Sequence, residues 1–73
     1  MKLSEASKDC SLVVKSIDLD EQARNRLQVL GMIENTPVTI LQRKVSGTII
    51  ISLRGSRLAL GSGMAGCIEV DYA

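Results

Sequence analysis

Histidine, tryptophan and phenylalanine are absent from this chain of 73 residues, and tyrosine and proline occur once each. Each shortage removes a class of function. Without histidine the commonest general base and the commonest metal ligand are both missing, and no Ser, His and Asp set can be assembled. An enzyme is therefore not expected. Without Phe and Trp the usual stacking platforms for single strands are missing, and a formal net charge of +1 gives little attraction for a phosphate backbone. Nucleic acid is not expected as a partner. The two cysteines, Cys10 and Cys67, lie 57 positions apart with no C-x-x-C pairing, which argues against a disulfide-stapled miniprotein and for two free thiols. No purely aliphatic run exceeds three residues, and Met1 to Asp9 contain no apolar signal-peptide core, so no signal peptide, no membrane insertion and a cytoplasmic location are expected.

Aliphatic side chains are what the sequence has in quantity: nine Leu, seven Ile and six Val. At roughly 1.5–3 kcal/mol for each fully buried side chain, they can support a core with almost no aromatic content. The length allows one domain, taken as residues 1–73, with no room for two lobes around a cleft.

Residues 10–17 are β-branched between polar flanks and read as a strand. Asp18-Leu19-Asp20-Glu21 then offers an N-cap aspartate with a glutamate three residues on, and Leu19, Ala23, Leu27 and Leu30 recur at helical spacing. One amphipathic helix is expected over about residues 19–30. Gly31 supplies its stop, with Met32 and Ile33 placed to cover the last turn. After Asn35-Thr36-Pro37 the period becomes twofold. Val38, Ile40 and Gln42 share one face, and past a Ser46-Gly47 turn Ile49, Ile51 and Leu53 do the same, opposite Thr48, Ile50, Ser52 and Arg54. Gly55-Ser56 reads as a second turn into Arg57–Leu60, with Leu58 and Leu60 inward, and Cys67–Val70 as a last strand. Five short strands and one helix favour a closed or partly closed barrel, because closure removes unpaired edges.

Three clusters invite a chemical reading. Gly61-Ser62-Gly63-Met64-Ala65-Gly66 satisfies G-x-G-x-x-G, but too few residues follow for the helix and ribose-binding acid of a dinucleotide site, so it reads as a connector. Asp18, Asp20 and Glu21 read as helix capping, since no calcium-loop pattern is present. Cys10 and Cys67 fall on the first and last strands, which often pair when a small barrel closes, and so are candidates to be neighbours. Two thiolates without His still form an incomplete zinc or iron site. For Arg24, Arg26, Arg54 and Arg57 a solvated face and a docking patch remain equal alternatives.

Several stretches together resemble the FeoA family of ferrous iron transport proteins. Ala23–Met32 is similar to that family's arginine-bearing helix ending in L-x-x-L-G-[ML], Thr36–Leu41 to its next strand, Arg54–Leu60 to its R-G-x-x-[LIV]-[AS]-[LI] segment, and Ile68-Glu69-Val70 to its closing I-E-V. Two stretches depart from it. Arg43–Thr48 is shorter and proline-free where the family commonly has a Pro-Leu-Gly-Asp-Pro type loop, and residues 61–66 are glycine-rich where relatives are often charged and helical.

The resemblance implies a mostly β, SH3-like barrel of about five strands. It further implies a small cytosolic accessory protein of ferrous iron uptake that binds and modulates the FeoB-type membrane transporter through its cytosolic GTPase portion. The alternative it leaves is a metal-responsive accessory domain of the iron-dependent regulator type, binding a transition metal. No cofactor or metal-ligand set is expected from the residues themselves, beyond weak transition-metal binding of the kind relatives are labelled with. The expected partner surface joins the helix end, Arg26, Leu30 and Met32, to the late turns, Arg54, Arg57 and Met64, because Arg and Met near connections suit contact surfaces.

Overall fold

The twofold alternation read along the chain becomes five antiparallel strands in the computed structural model, which describes residues 1–73. They are β1 (Ser11–Ile17), β2 (Pro37–Arg43), β3 (Ile49–Leu53), β4 (Ser56–Leu60) and β5 (Ile68–Tyr72), hydrogen-bonded in the order β4-β3-β2-β1-β5. Helix α1 (Glu21–Val29) connects β1 to β2, and a single turn, α2 (Ser62–Ala65), connects β4 to β5. Strands β1 and β2 each shift register once, between Val14 and Ser16 and between Ile40 and Gln42. An extra residue at such a bulge bends its strand and increases the local twist, so the sheet curls around its own inner face.

That inner face is the core. Leu12 and Val14, Val38 and Ile40, Ile49, Ile51 and Leu53, Leu60, and Ile68 and Val70 all point into it, one set from each strand. With Leu27 of α1, Ala65 of α2, Met32 and two residues near the N-terminus they form one cluster of 15 buried hydrophobic residues. The cluster is wholly aliphatic and thioether, as the composition requires, while Tyr72 stays 64% exposed.

Four expectations shift. Helix α1 starts later and ends earlier than 19–30, and its cap is Asp20, whose carboxylate accepts a hydrogen bond from the Ala23 amide at 3.0 Å. Asp18 instead donates its amide to the Cys67 carbonyl at 2.8 Å, which extends the β1–β5 pairing and keeps it out of the helix. The β3–β4 turn is Arg54-Gly55 rather than Gly55-Ser56, with Leu53 opposite Ser56. Arg54 therefore leaves the strand face it was expected to share with Ile50 and Ser52. Both turn residues have positive φ, 50° and 81°, the type I′ geometry whose twist matches a two-residue hairpin. The glycine-rich 61–66 connector closes as a helical turn because Ala65 is buried in the core, and burial overrides the low helix propensity of its glycines.

The fourth shift concerns the first six residues, for which no element was anticipated. Leu3–Glu5 forms a 3-10 turn in which the Glu5 carboxylate accepts from the Lys2 amide at 2.8 Å, while Leu3 and Ala6 are buried. Met1 lies along β5: its carbonyl accepts from the Val70 amide at 2.7 Å and its amino group donates to the Val70 carbonyl at 3.0 Å. From the far end of β2, the Arg43 guanidinium donates to the Ser4 and Ala6 carbonyls. The N-terminal segment is thus an integral wall of the core and the cover of one sheet edge. Leu3→Ala is expected to destabilise the protein by about 2–5 kcal/mol in urea unfolding, the range for a truncated core leucine. A change below about 0.5 kcal/mol, typical of surface positions, would contradict this placement.

Candidate functional site

The end of α1 is fixed by its main chain. The Met32 amide donates to the Leu27 carbonyl at 2.8 Å and the Gly31 amide to the Gln28 carbonyl at 2.9 Å, the paired bonds of a Schellman stop with Gly31 at φ 99°. Leu27 and Met32, the two side chains this motif brings together, are both buried. The Gly31 carbonyl, turned outward by this conformation, accepts from the Thr36 hydroxyl at 3.3 Å and from Arg54 Nε at 3.2 Å. Thr36 Oγ1 also accepts from the Ile33 amide at 3.2 Å, so the one buried polar residue of the protein is satisfied on both sides.

This geometry joins the helix end to the β3–β4 turn and leaves aliphatic side chains outside. Val29 is 87% exposed, Leu30 53% and Ile33 45%. Beside them a groove of about 320 Å3 is lined by Ile17, Arg24, Gln28, Met32, Ile33 and Glu34. The only ion pair in the protein joins the Met1 amino group to Glu69 at 3.5 Å, so Arg24, Arg26 and Arg57 have no carboxylate partner.

The six anticipated contact residues divide in three ways. Arg26 and Leu30 are exposed at the helix end, and Arg54 meets them there through its bond to Gly31. Met32 is fully buried as the covering residue of the helix stop, so it supports this surface without facing a partner. Leu30, read as part of the helix's inner stripe, lies half out because the chain leaves the helix there. Arg57 is exposed on β4, and Met64 is partly buried against the core in α2. A Cβ on Gly47 would lie 2.9 Å from Ser62 Cβ, which puts α2 at the β2–β3 hairpin tip, the opposite end of β3 from Arg54. Met64 is thus not brought to the helix end. Val29 and Ile33 were missed, since nothing in a helical pattern says that aliphatic residues just past the buried stripe stay bare.

The cysteines also separate. The β1–β5 register pairs Leu12 with Tyr72 and Ile17 with Ile68, so Cys10 and Cys67 sit at opposite ends of that ladder, roughly 20 Å of strand apart. No group of three or more His, Cys, Asp or Glu lies close enough to hold a metal ion. The residues present therefore do not build a resident metal site, and Asp20 is already engaged as a cap.

A curled antiparallel sheet of five short strands with one main helix defines an SH3-like domain. The FeoA domain family matches residues 1–72, and the chain belongs to that family. The FeoA protein from Chlorobium tepidum, 27% identical, superposes with a TM-score of 0.92 over 99% of this chain and 70% of that one. An iron uptake regulatory protein (FeoA), 33% identical, gives 0.86 over 96% of this chain and 93% of that one. A manganese-dependent transcriptional repressor, 23% identical, gives 0.90 over 100% of this chain and 41% of its own, a likeness of fold alone. No curated protein matches the chain.

A Cβ on Gly31 would lie 2.7 Å from Arg54 Cδ, in addition to the strain of its positive φ. Gly31→Ala is expected to cost about 1–3 kcal/mol. In an Arg54→Ala background the cost should fall by about 0.5–1 kcal/mol, because the side chain that clashes is gone. Additive energies in this double-mutant cycle would show that the two residues do not touch.

Proposed function

We propose that this chain is an accessory protein of ferrous iron uptake that acts by docking on the cytosolic GTPase portion of an FeoB-type transporter, with no chemistry of its own. The observation that carries this reading is the FeoA family match across residues 1–72. The helix end supports it physically. An exposed aliphatic cluster of Val29, Leu30 and Ile33 next to the unpaired Arg26 has the composition of an interface core with a charged margin. The absence of His and the separation of Cys10 from Cys67 favour contact with the transport machinery over capture of the ion, which is the cargo of the process. No helix of the protein is long and apolar enough to cross a membrane.

Calorimetry with the purified GTPase portion tests this. Saturable binding is expected in at least one nucleotide state, and Leu30→Asp should weaken it at least about 10-fold while leaving the circular dichroism spectrum unchanged, since a buried interface leucine replaced by a charge is a hot-spot loss. No binding in any nucleotide state, with Fe(II) present or absent, would overturn the proposal.

A further inference from the structure

The two edges of the sheet are treated differently. The outer edge of β5 is covered by Met1 and Lys2 of the same chain, whereas β4 has no neighbour beyond β3. The Arg54-Gly55 loop fixes which groups that bare edge presents. In a two-residue hairpin the flanking pair, Leu53 and Ser56, is hydrogen-bonded, so alternation turns the main chain of Ser56, Leu58 and Leu60 toward β3 and that of Arg57 and Ala59 outward. No main-chain bond from a turn or loop reaches Arg57 or Ala59. Of the devices that usually blunt a native edge, β4 has neither proline nor a bulge, and its one charge is Arg57.

Beside the edge lies a groove of about 520 Å3 lined by Leu41, Gln42, Ile50, Arg57, Leu58 and Ala59. Its charge is of one sign. Residues 35–68, which include all of β2, β3 and β4, hold Arg43, Lys44, Arg54 and Arg57 and not one acid, while all eight acidic residues lie outside that stretch. Within the sheet, β2, β3 and β4 carry Arg43 and Arg57 and no acid, whereas Glu69 and Asp71 lie on β5 at the opposite edge.

We infer that the β4 edge is a second interaction surface, which takes an extended acidic peptide segment of a protein partner as an added antiparallel strand. The partner's main chain bonds the outward amides and carbonyls of Arg57 and Ala59, an apolar side chain packs against the half-buried Leu58 on the inner face, and a carboxylate on the opposite face pairs with Arg57. A second copy paired through the same edge is disfavoured. Antiparallel self-pairing centred on Leu58 would set Arg57 diagonally across from its own copy, at about 7–8 Å, with no acid nearby to offset the repulsion. The groove at this edge shares no lining residue with the one at the helix end, so its occupancy is tested independently of the transporter docking proposed above.

The probe is an end-blocked octapeptide of alternating valine and glutamate, titrated into the isotope-labelled protein, with the valine and lysine counterpart as control. Saturable binding is expected, with amide exchange at Arg57 and Ala59 slowed at least about 10-fold. Arg57→Glu, an exposed change, and Ala59→Pro, which removes an outward amide on an edge strand, should each weaken binding about 10-fold while the unfolding midpoint shows the domain intact. The inference is overturned by no saturable binding at millimolar peptide, by equal binding of the lysine peptide, or by shifts confined to the helix end. It is also overturned if a single-stranded DNA oligonucleotide of equal charge protects the same amides equally, or if the protein alone protects them by self-association.

Discussion

The carbonyl of Gly31 is the point on which the arrangement of this domain depends. It accepts hydrogen bonds from Thr36, immediately before β2, and from Arg54, in the turn between β3 and β4. Only a residue with positive φ turns that carbonyl outward at the end of a helix, and glycine takes such a φ without steric penalty. The same loop is tied to β1, since the Asn35 amide donates to the Val14 carbonyl at 2.7 Å and the Val14 amide to the Thr36 carbonyl at 3.0 Å. Helix, first strand and late hairpin are thereby held by one short segment. Arg54 accepts a positive φ in the hairpin, and its bond to Gly31 gives that strained position a structural role.

Because this anchoring uses main-chain groups, it leaves side chains at the helix end free. Val29, Leu30 and Ile33 are exposed for a geometric reason: the chain reverses out of the helix at Gly31, so the aliphatic residues on either side of the stop cannot all return to a core already filled by Leu27 and Met32. The barrel itself needs none of them. A domain this small buries a limited core, and surface that exceeds that core is available for a partner. The family match gives that surplus a context in iron uptake, while the likeness to a metal-dependent repressor at 23% identity carries the fold and nothing more.

Much of the fold was legible because periodicity and turn chemistry are local. The inward sets Ile49, Ile51, Leu53 and Ile68, Val70, the helix around Ala23 and Leu27, the Gly31 stop and the aliphatic core all follow from spacing and composition. The misreadings occur where a distant contact outweighed a local signal. Asp18 had a capping pattern but pairs with Cys67 across the sheet, residues 61–66 are helical because Ala65 is buried, and the first six residues are ordered by Arg43 from the end of β2. The candidate surface was half legible. Arg26, Leu30 and Arg54 meet at the helix end, but Met32 is buried and Met64 lies at the other end of β3, since sequence proximity to a turn does not reveal which end of the barrel that turn occupies.

What the sequence determined by itself was the supply of side chains and the elements they build. Missing histidines and a single tyrosine narrow its chemistry, and alternating aliphatic residues set a small β domain with one helix. What only the tertiary structure decided was adjacency: that Cys10 and Cys67 stand at opposite ends of one ladder, that Arg54 rests on Gly31, and that one sheet edge is covered while β4 stays open. Composition and period are sums over the chain or over neighbouring residues, whereas adjacency is set by strand order and register, which depend on all the strands packing at once.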